Sequence, residues 1–341
     1  GVLCILFGLF PPMGVAMVIF AAMGVTTTLT FWAAMQKATR IFVGEGNEGL
    51  GMGSVEGIRN LISSAISTVA LILFARYADI VAGVRVVIFI FAVANIIIGL
   101  GCHFLLEKDE VQKGKSSIIK HVVTCLKNPN VWAISVIITC FYGSYCALKY
   151  ATPFGTKVFG ISVALGALLG TFKEYFRPVG ALIAAFVSNR FGVSKTILVC
   201  GVFGIAINLC FAFLPQQQTL YFLVFLGTAI GYIIFGAIRG IYFATIGEAK
   251  IPMEMTGTVI GIMSTIGFLP DSILPIVYGG ILDKYPIEAA YPLIFKIAAG
   301  LAVAGCIITF IFFKKNKSSI DEIMEKKKRE REEKKAQKTA A

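Results

Sequence analysis

The chain has 341 residues, 57% of them hydrophobic and 15% charged, with a mean hydropathy of +0.82. A soluble domain carries about 25% charged residues, so this composition excludes an ordinary water-soluble globule. The formal net charge of +12 is explained by where membrane loops concentrate Lys and Arg, which leaves no case for nucleic acid as a partner.

Apolar runs long enough for the ~30 Å hydrocarbon core recur along the chain. The predicted spans are 1–10 (partial), 12–36, 54–75, 86–106, 131–152, 161–186, 196–214, 219–245, 256–280 and 292–313. These make nine full helices and one partial helix, an all-α polytopic membrane protein. The opening "GVLCILFGLF" has no initiator methionine and is apolar from Gly1. A fragment cut inside a helix, or a short helix starting there, is expected. Neither the basic n-region nor the cleavage site of a signal peptide is visible. The eight cysteines lack CxxC or metal-like spacing, and His103 and His121 stand alone. Small apolar filler is the expected role of the cysteines, and no metal or other cofactor is predicted.

Loop charge sets the orientation. Segments 37–53, 107–130, 187–195, 246–255 and the tail from 314 hold 21 of the 31 Lys and Arg residues. The opposite loops hold Arg76, Arg85, Lys157 and Lys284. The rich side, with the C-terminus, is predicted to be cytoplasmic. Spans 1–10, 86–106 and 196–214 carry no charge, and 292–313 has only Lys296, placed to snorkel. These are every third helix. The pattern suits a bundle whose every third helix faces lipid while most of the others line a polar cavity. "GLGMGSVEGIRN" (49–60) and "GTVIGIMSTIGF" (257–268) share glycines at matching positions, an echo of the kind internal repeats leave in transporters.

"AAFVSNRFGVSK" (184–195) resembles the cytoplasmic loop motif G-x-x-x-D-R-x-G-x-[RK] of major facilitator superfamily (MFS) transporters, in its second copy. Arg190 and Gly192 match. Asn189 stands for the usual Asp, Ala185 for Gly, and Ser194 fills the basic slot with Lys195 one place late. Asn189 would weaken the motif's gating salt bridge. The resemblance implies a chain running from late helix 3 to helix 12 of a twelve-helix plan. Residues 1–106 would then be the remainder of the N-terminal half, 107–130 the inter-half loop, 131–313 the C-terminal half and 314–341 a basic cytoplasmic tail. Helices 3, 6, 9 and 12 of that plan are peripheral, and they coincide with the charge-poor spans. "FWAAMQKATR" (31–40), "GSVEGIRN" (53–60) and "GEAKIPMEMTGTVIGIMSTIGFLPD" (247–271) resemble a bacterial branch of nitrate/nitrite-type or organic-anion transporters. Secondary transport across the cytoplasmic membrane by alternating access, by a monomer, is the implied activity. A chain lacking the first helices is expected not to transport alone.

Charged residues inside spans are the candidate site, because each costs about 2.5–3.5 kcal/mol at the bilayer centre even on the lenient scale. In "LGTFKEYFRPVGALIAAF" (169–186), Lys173, Arg177 and Glu174 fall at about 0°, 40° and 100° on the helical wheel and share one face. Pro178 removes a backbone donor beside them. Arg177 offers a planar fork for an oxyanion, Lys173 a point charge and Glu174 a proton carrier. A structural ion-pair network is the alternative. Arg239 is a second substrate candidate, or a snorkelling side chain. Lys149, among Tyr142, Tyr145 and Tyr150, is a third, or an interfacial anchor. Asp271, between Pro270 and Pro275, is a second proton site, or a partner for a neighbouring cation. Glu56 and Arg59, at i and i+3, read as a gate or a helix-end ion pair, alongside Asn189, Arg190, Gly192 and Lys195. Counting Lys149, Lys173, Arg177 and Arg239 against Glu174 and Asp271 leaves two excess positive charges, which would concentrate a small anion. Gly53/Gly57, Gly257/Gly261 and "GALLG" are small-residue pairs for close helix approach, in rocking or in static packing.

The tail carries eleven basic and six acidic residues. It is predicted to be a solvated helix or disordered, with its first lysines on anionic lipid headgroups. There is no GxxxxGK[ST], HExxH or GxSxG, so no enzyme is predicted. A cation or drug exporter and a non-transporting sensor remain the competing readings.

Overall fold

The computed structural model describes residues 1–74, 76–77, 79–105 and 118–340. Every regular element among them is helical. The chain begins with α1 (Val2–Gly8) and α2 (Met13–Gly24), parted by "FPP" with Phe10 at φ 53°. A π-helical stretch, Val25–Trp32, joins α2 to α3 (Ala33–Val43). The hydroxyls of Thr26 and Thr27 donate back to the Met23 carbonyl at 3.0 and 2.7 Å, a local bond that loosens an α-helical ladder. Gly44, at φ 74°, stops α3. Next come α4 (Glu48–Phe74) and α5 (Ile80–Leu105). Thus α4 starts six residues before the predicted 54, and the supposed loop 37–53 is nearly all helix.

Residues 107–117 of the predicted inter-half loop lie outside the described residues. Beyond it are α6 (Ile118–Lys127) and α7 (Pro129–Cys146). The Asn128 side chain accepts from Asn130 N at 2.9 Å, and Pro129 occupies the first helical position, both ordinary helix-start devices. A 3₁₀ turn, Ala147–Tyr150, breaks the predicted span 131–152 and leads to α8 (Ala151–Val158). The long α9 (Val163–Phe191) carries Pro178 without ending. Gly192 alone, at φ 96°, separates it from α10 (Val193–Phe213). The chain continues through α11 (Tyr221–Ile241), α12 (Thr245–Glu248), α13 (Thr256–Gly267), α14 (Pro270–Lys284), α15 (Ile287–Lys315) and α16 (Lys317–Ala340).

Among the described residues, six helical stretches are long and apolar enough to cross a membrane: Val81–Phe104, Pro129–Val158, Val193–Phe213, Gln218–Glu248, Met253–Lys284 and Ile287–Lys315. The long helices α4 and α9 fall outside that set. They hold Glu56, Arg59, Lys173, Glu174 and Arg177, and they pack on each other. The charge-poor α5, α10 and α15 present exposed apolar side chains such as Ile97, Val202 and Ile311, as lipid-facing helices should.

Glycine sets the closest approaches. A side chain on Gly53 would meet Ala185 Cα at 2.9 Å, and one on Gly57 would meet Leu182 Cγ at 2.5 Å, so α4 and α9 touch almost backbone to backbone. Ala185, the motif's departure from Gly, is fully buried in that seam. In α9 and α11, Gly180 abuts the Ile233 carbonyl and Gly236 abuts the Arg177 backbone. The matching pair in α13 behaves differently, since Gly261 meets nothing within 4 Å.

Candidate substrate site

Helical spacing aligns the polar groups. On α4, Glu56, Arg59 and Asn60 stand at i, i+3 and i+4 on one face. On α7 and its 3₁₀ turn, Tyr142, Tyr145 and Lys149 form a stripe. Between α13 and α14 the helix breaks before Pro270, which places Asp271 in the first turn of α14, where the helix dipole favours a carboxylate.

Two polar nodes result. In the first, Glu56 is 3% exposed and takes Arg59 Nη2 at 2.7 Å and Arg239 Nε at 3.2 Å. The Asn60 amide donates to Glu56 Oε1 at 3.0 Å, and Arg177 Nη2 donates to Asn60 Oδ1 at 2.5 Å. Arg177 Nη1 also reaches the Tyr145 hydroxyl at 3.4 Å. In the second node, Asp271 accepts from Lys149 Nζ at 2.6 Å, the Tyr142 hydroxyl at 2.5 Å and Cys146 Sγ at 3.4 Å. Arg239 links the nodes, its guanidinium lying 5.2 to 5.9 Å from the rings of Tyr142, Tyr145 and Phe268. Trp32 packs against the same group, 6.1 Å from Phe268 and 5.4 Å from the Arg59 guanidinium.

Several expectations change here. Arg239 does not snorkel, because its side chain is 16% exposed and bound to Glu56. Glu56 and Arg59 are no helix-end pair, since Glu56 lies two turns inside α4 and bridges to α11. Lys149 is no free interfacial anchor but the partner of Asp271. The cluster on α9 divides. Arg177 joins the first node, while Lys173 and Glu174 pair with each other at 3.5 Å on a more exposed face. Trp32 and Asn60 went unnoticed in the sequence for lack of charge, although Asn60 at i+4 from Glu56 was a usable signal.

Three buried atoms of this constellation have no hydrogen-bond partner among the described residues: Arg177 Nε, Arg59 Nε and Trp32 Nε1. All three can only donate. With Arg59, Arg177, Arg239 and Lys149 set against Glu56 and Asp271, the charge balance is again positive by two. Such a site can hold an acceptor-rich, negatively charged group against aromatic walls.

Toward the end that carries α16, the helices before residue 106 meet those after 117 in a tight seam. Arg40, a loop cation by sequence, is 1% exposed on α3 and donates to Thr256 Oγ1 at 2.6 Å and to the Ile251 carbonyl at 2.8 Å. The motif residues lie nearby. Gly192 makes the turn, Arg190 lies 5.5 Å from the Phe191 ring and Lys195 lies 5.5 Å from the Phe313 ring. Glu248, also missed in the sequence, caps α10 by accepting from Val193 N at 2.8 Å, Ser194 N at 3.1 Å and the Ser194 hydroxyl. Glu248→Ala leaves those amides unpaired, and a loss of about 1–3 kcal/mol is expected in detergent melting, against a smaller loss for Ser194→Ala.

The family model described as "Major Facilitator Superfamily" matches residues 1–275. The chain is 28% identical over 326 residues to "Inner membrane protein YqcE" of Escherichia coli (strain K12), covering 92% of this chain and 76% of that protein. It is 26% identical over 311 residues to "Inner membrane protein YihN" of the same organism, covering 87% and 73%. Its fold is similar to a crystal structure of an MFS transporter, FucP, in the outward conformation, with TM-score 0.61 and 12% identity over 80% of this chain and 72% of that one. On the family match and the membrane-spanning helical fold together, this chain belongs to the Major Facilitator Superfamily of membrane transporters.

Proposed function

We propose that the chain is a secondary transporter for a small anion, bound where α4, α7, α9, α11 and the α13–α14 break converge. The observation that carries this reading is the set of unpaired donor-only atoms, Arg177 Nε, Arg59 Nε and Trp32 Nε1, within a cluster of net positive charge. Arg177 and Arg59 would take the anionic group, and Tyr142, Tyr145, Trp32 and Phe268 would line the rest. Asp271, held by Lys149 and Tyr142, is the proposed proton carrier. A proton arriving there would release Lys149 toward the substrate. Lys173 and Glu174 would serve the rim of the same cavity.

The helices of residues 1–106 and 131–313 act as two halves that rock about this site. The seam at the α16 end is closed by Arg40, by Glu56 with Arg239 and by the α4–α9 glycines, so the site opens toward the other side. The α16 end is cytoplasmic by the positive-inside rule, and the host membrane is the cytoplasmic one. Counterflow in proteoliposomes tests the reading. Vesicles preloaded with the anion should accumulate external labelled anion, and loss of exchange with binding retained would make the protein a sensor. A cation exporter is disfavoured by the positive charge of the cluster.

A further inference from the structure

The tail helix α16 is not a free solvated rod. Only Asn316 separates it from α15. Ile320, Ile323, Met324 and Lys327 stand at i, i+3, i+4 and i+7, one stripe of a helix, and that stripe faces the bundle. Ile320 is 1% exposed and Lys327 is 9% exposed. Ile323 comes within 3.6 Å of the position a side chain on Gly46 would take, in the turn between α3 and α4. Ile320 and Met324 stand likewise 3.8 and 3.9 Å from Gly192, between α9 and α10. Glu322 accepts from Lys250 Nζ at 2.5 Å. The helix therefore grips both helical groups, and it roofs a cavity of about 400 Å³ whose floor includes Arg40 and Glu48.

The fastening point is Asn189, the motif's departure from Asp. Lys327 Nζ donates to Asn189 Oδ1 at 2.7 Å, and Arg331 Nη2 donates to the Asn189 carbonyl at 2.8 Å. Burial pushes the Lys327 ammonium below lysine's ordinary pKa, against the opposing pull of Glu48 and Glu248. A carboxylate at 189 would pair ion to ion with the Lys327 ammonium, while Arg331, held by the backbone carbonyl, would keep its bond either way. The neutral amide holds Lys327 more weakly than a carboxylate would, in keeping with a contact that releases.

We propose that α16 is a releasable strap across the mouth at its end of the bundle, fastened through Lys327 and Arg331 to Asn189, and that unfastening it favours opening of the α4–α9 seam. The inference rests on the rocking of the two halves but not on the substrate, and its test reads opening rather than transport.

The probe is Ser188→Cys. Ser188 is 1% exposed, and its Oγ lies 2.6 Å from the position a side chain on Gly49 would take, at the α16 end of the seam. Alkylation of that cysteine by N-ethylmaleimide, read by peptide mass spectrometry to separate it from the native thiols, reports opening. Lys327→Ala with Arg331→Ala should raise the rate about fivefold or more, removal of 317–341 should raise it further, and Asn189→Asp should lower it, as expected when about 1 kcal/mol moves an equilibrium severalfold. Equal rates in the double variant, Asn189→Asp and the parent would overturn the strap. The point variants decide the matter if the shortened chain loses its melting transition.

Discussion

Glu56→Ala will destabilise the protein by about 3–5 kcal/mol, the usual consequence of removing one member of a buried ionic group. Glu56 is the shared acceptor of Arg59, Arg239 and Asn60. Without it two guanidinium groups face each other in the seam, with no carboxylate between them. Detergent melting curves measure the loss. Adding Arg239→Leu to Glu56→Ala should recover part of it, because the uncompensated buried charge leaves with the arginine. A change within about 0.5 kcal/mol for the single variant, the range of an ordinary surface substitution, would mean that the node contributes no stability.

Gly180→Ala will be nearly as damaging, by about 3 kcal/mol, at the upper end of what overpacking typically costs. The new methyl would fall on the Ile233 carbonyl. That atom is backbone in α11 and cannot swing aside as a side chain could. Relief requires α9 and α11 to separate, which drags Arg177 with them, because Gly236 of α11 lies against the Arg177 backbone. Gly279→Ala is the control. A methyl added at Gly279 would meet nothing within 4 Å among the described residues, so the stability of this variant should stay within about 0.5 kcal/mol of the parent. Equal stability of Gly180→Ala and Gly279→Ala would show that the α9–α11 contact is looser than the structure makes it.

Much of this architecture could be read from hydropathy, because a span must supply about 20 apolar residues whatever it packs against. The stretches that misled are informative. "EGLGMGS" (48–54) falls in the predicted loop 37–53, yet it is the first two turns of α4, and its Gly49 and Gly53 are where α9 approaches. Arg40 reads as a loop cation that sets topology, yet it is a buried donor to the Ile251 carbonyl and the Thr256 hydroxyl, 211 and 216 positions away in sequence. The charged residues of the site stood out because ions in a span are costly, but their partners did not. Glu56 finds Arg239 across 183 positions and Lys149 finds Asp271 across 122. Helical periodicity tells which face a residue occupies and not which helix it meets. Trp32, Asn60 and Glu248 escaped notice for a related reason. Their importance lies in the orphaned or borrowed hydrogen bonds of neighbours that only the folded chain brings near.

Anion binding by this inter-helical cluster is what the transport reading requires. Thermal shift of the protein in detergent, against a panel of small carboxylates, phosphates and inorganic oxyanions with neutral sugars as controls, measures it most directly. One anion class should stabilise the protein while neutral sugars do not. Arg177→Gln should weaken that binding about 10- to 100-fold, the value of one charge-assisted contact. Stabilisation by an anion that survives Arg177→Gln undiminished would contradict the account and reduce Arg177 to a strut between α9 and α4.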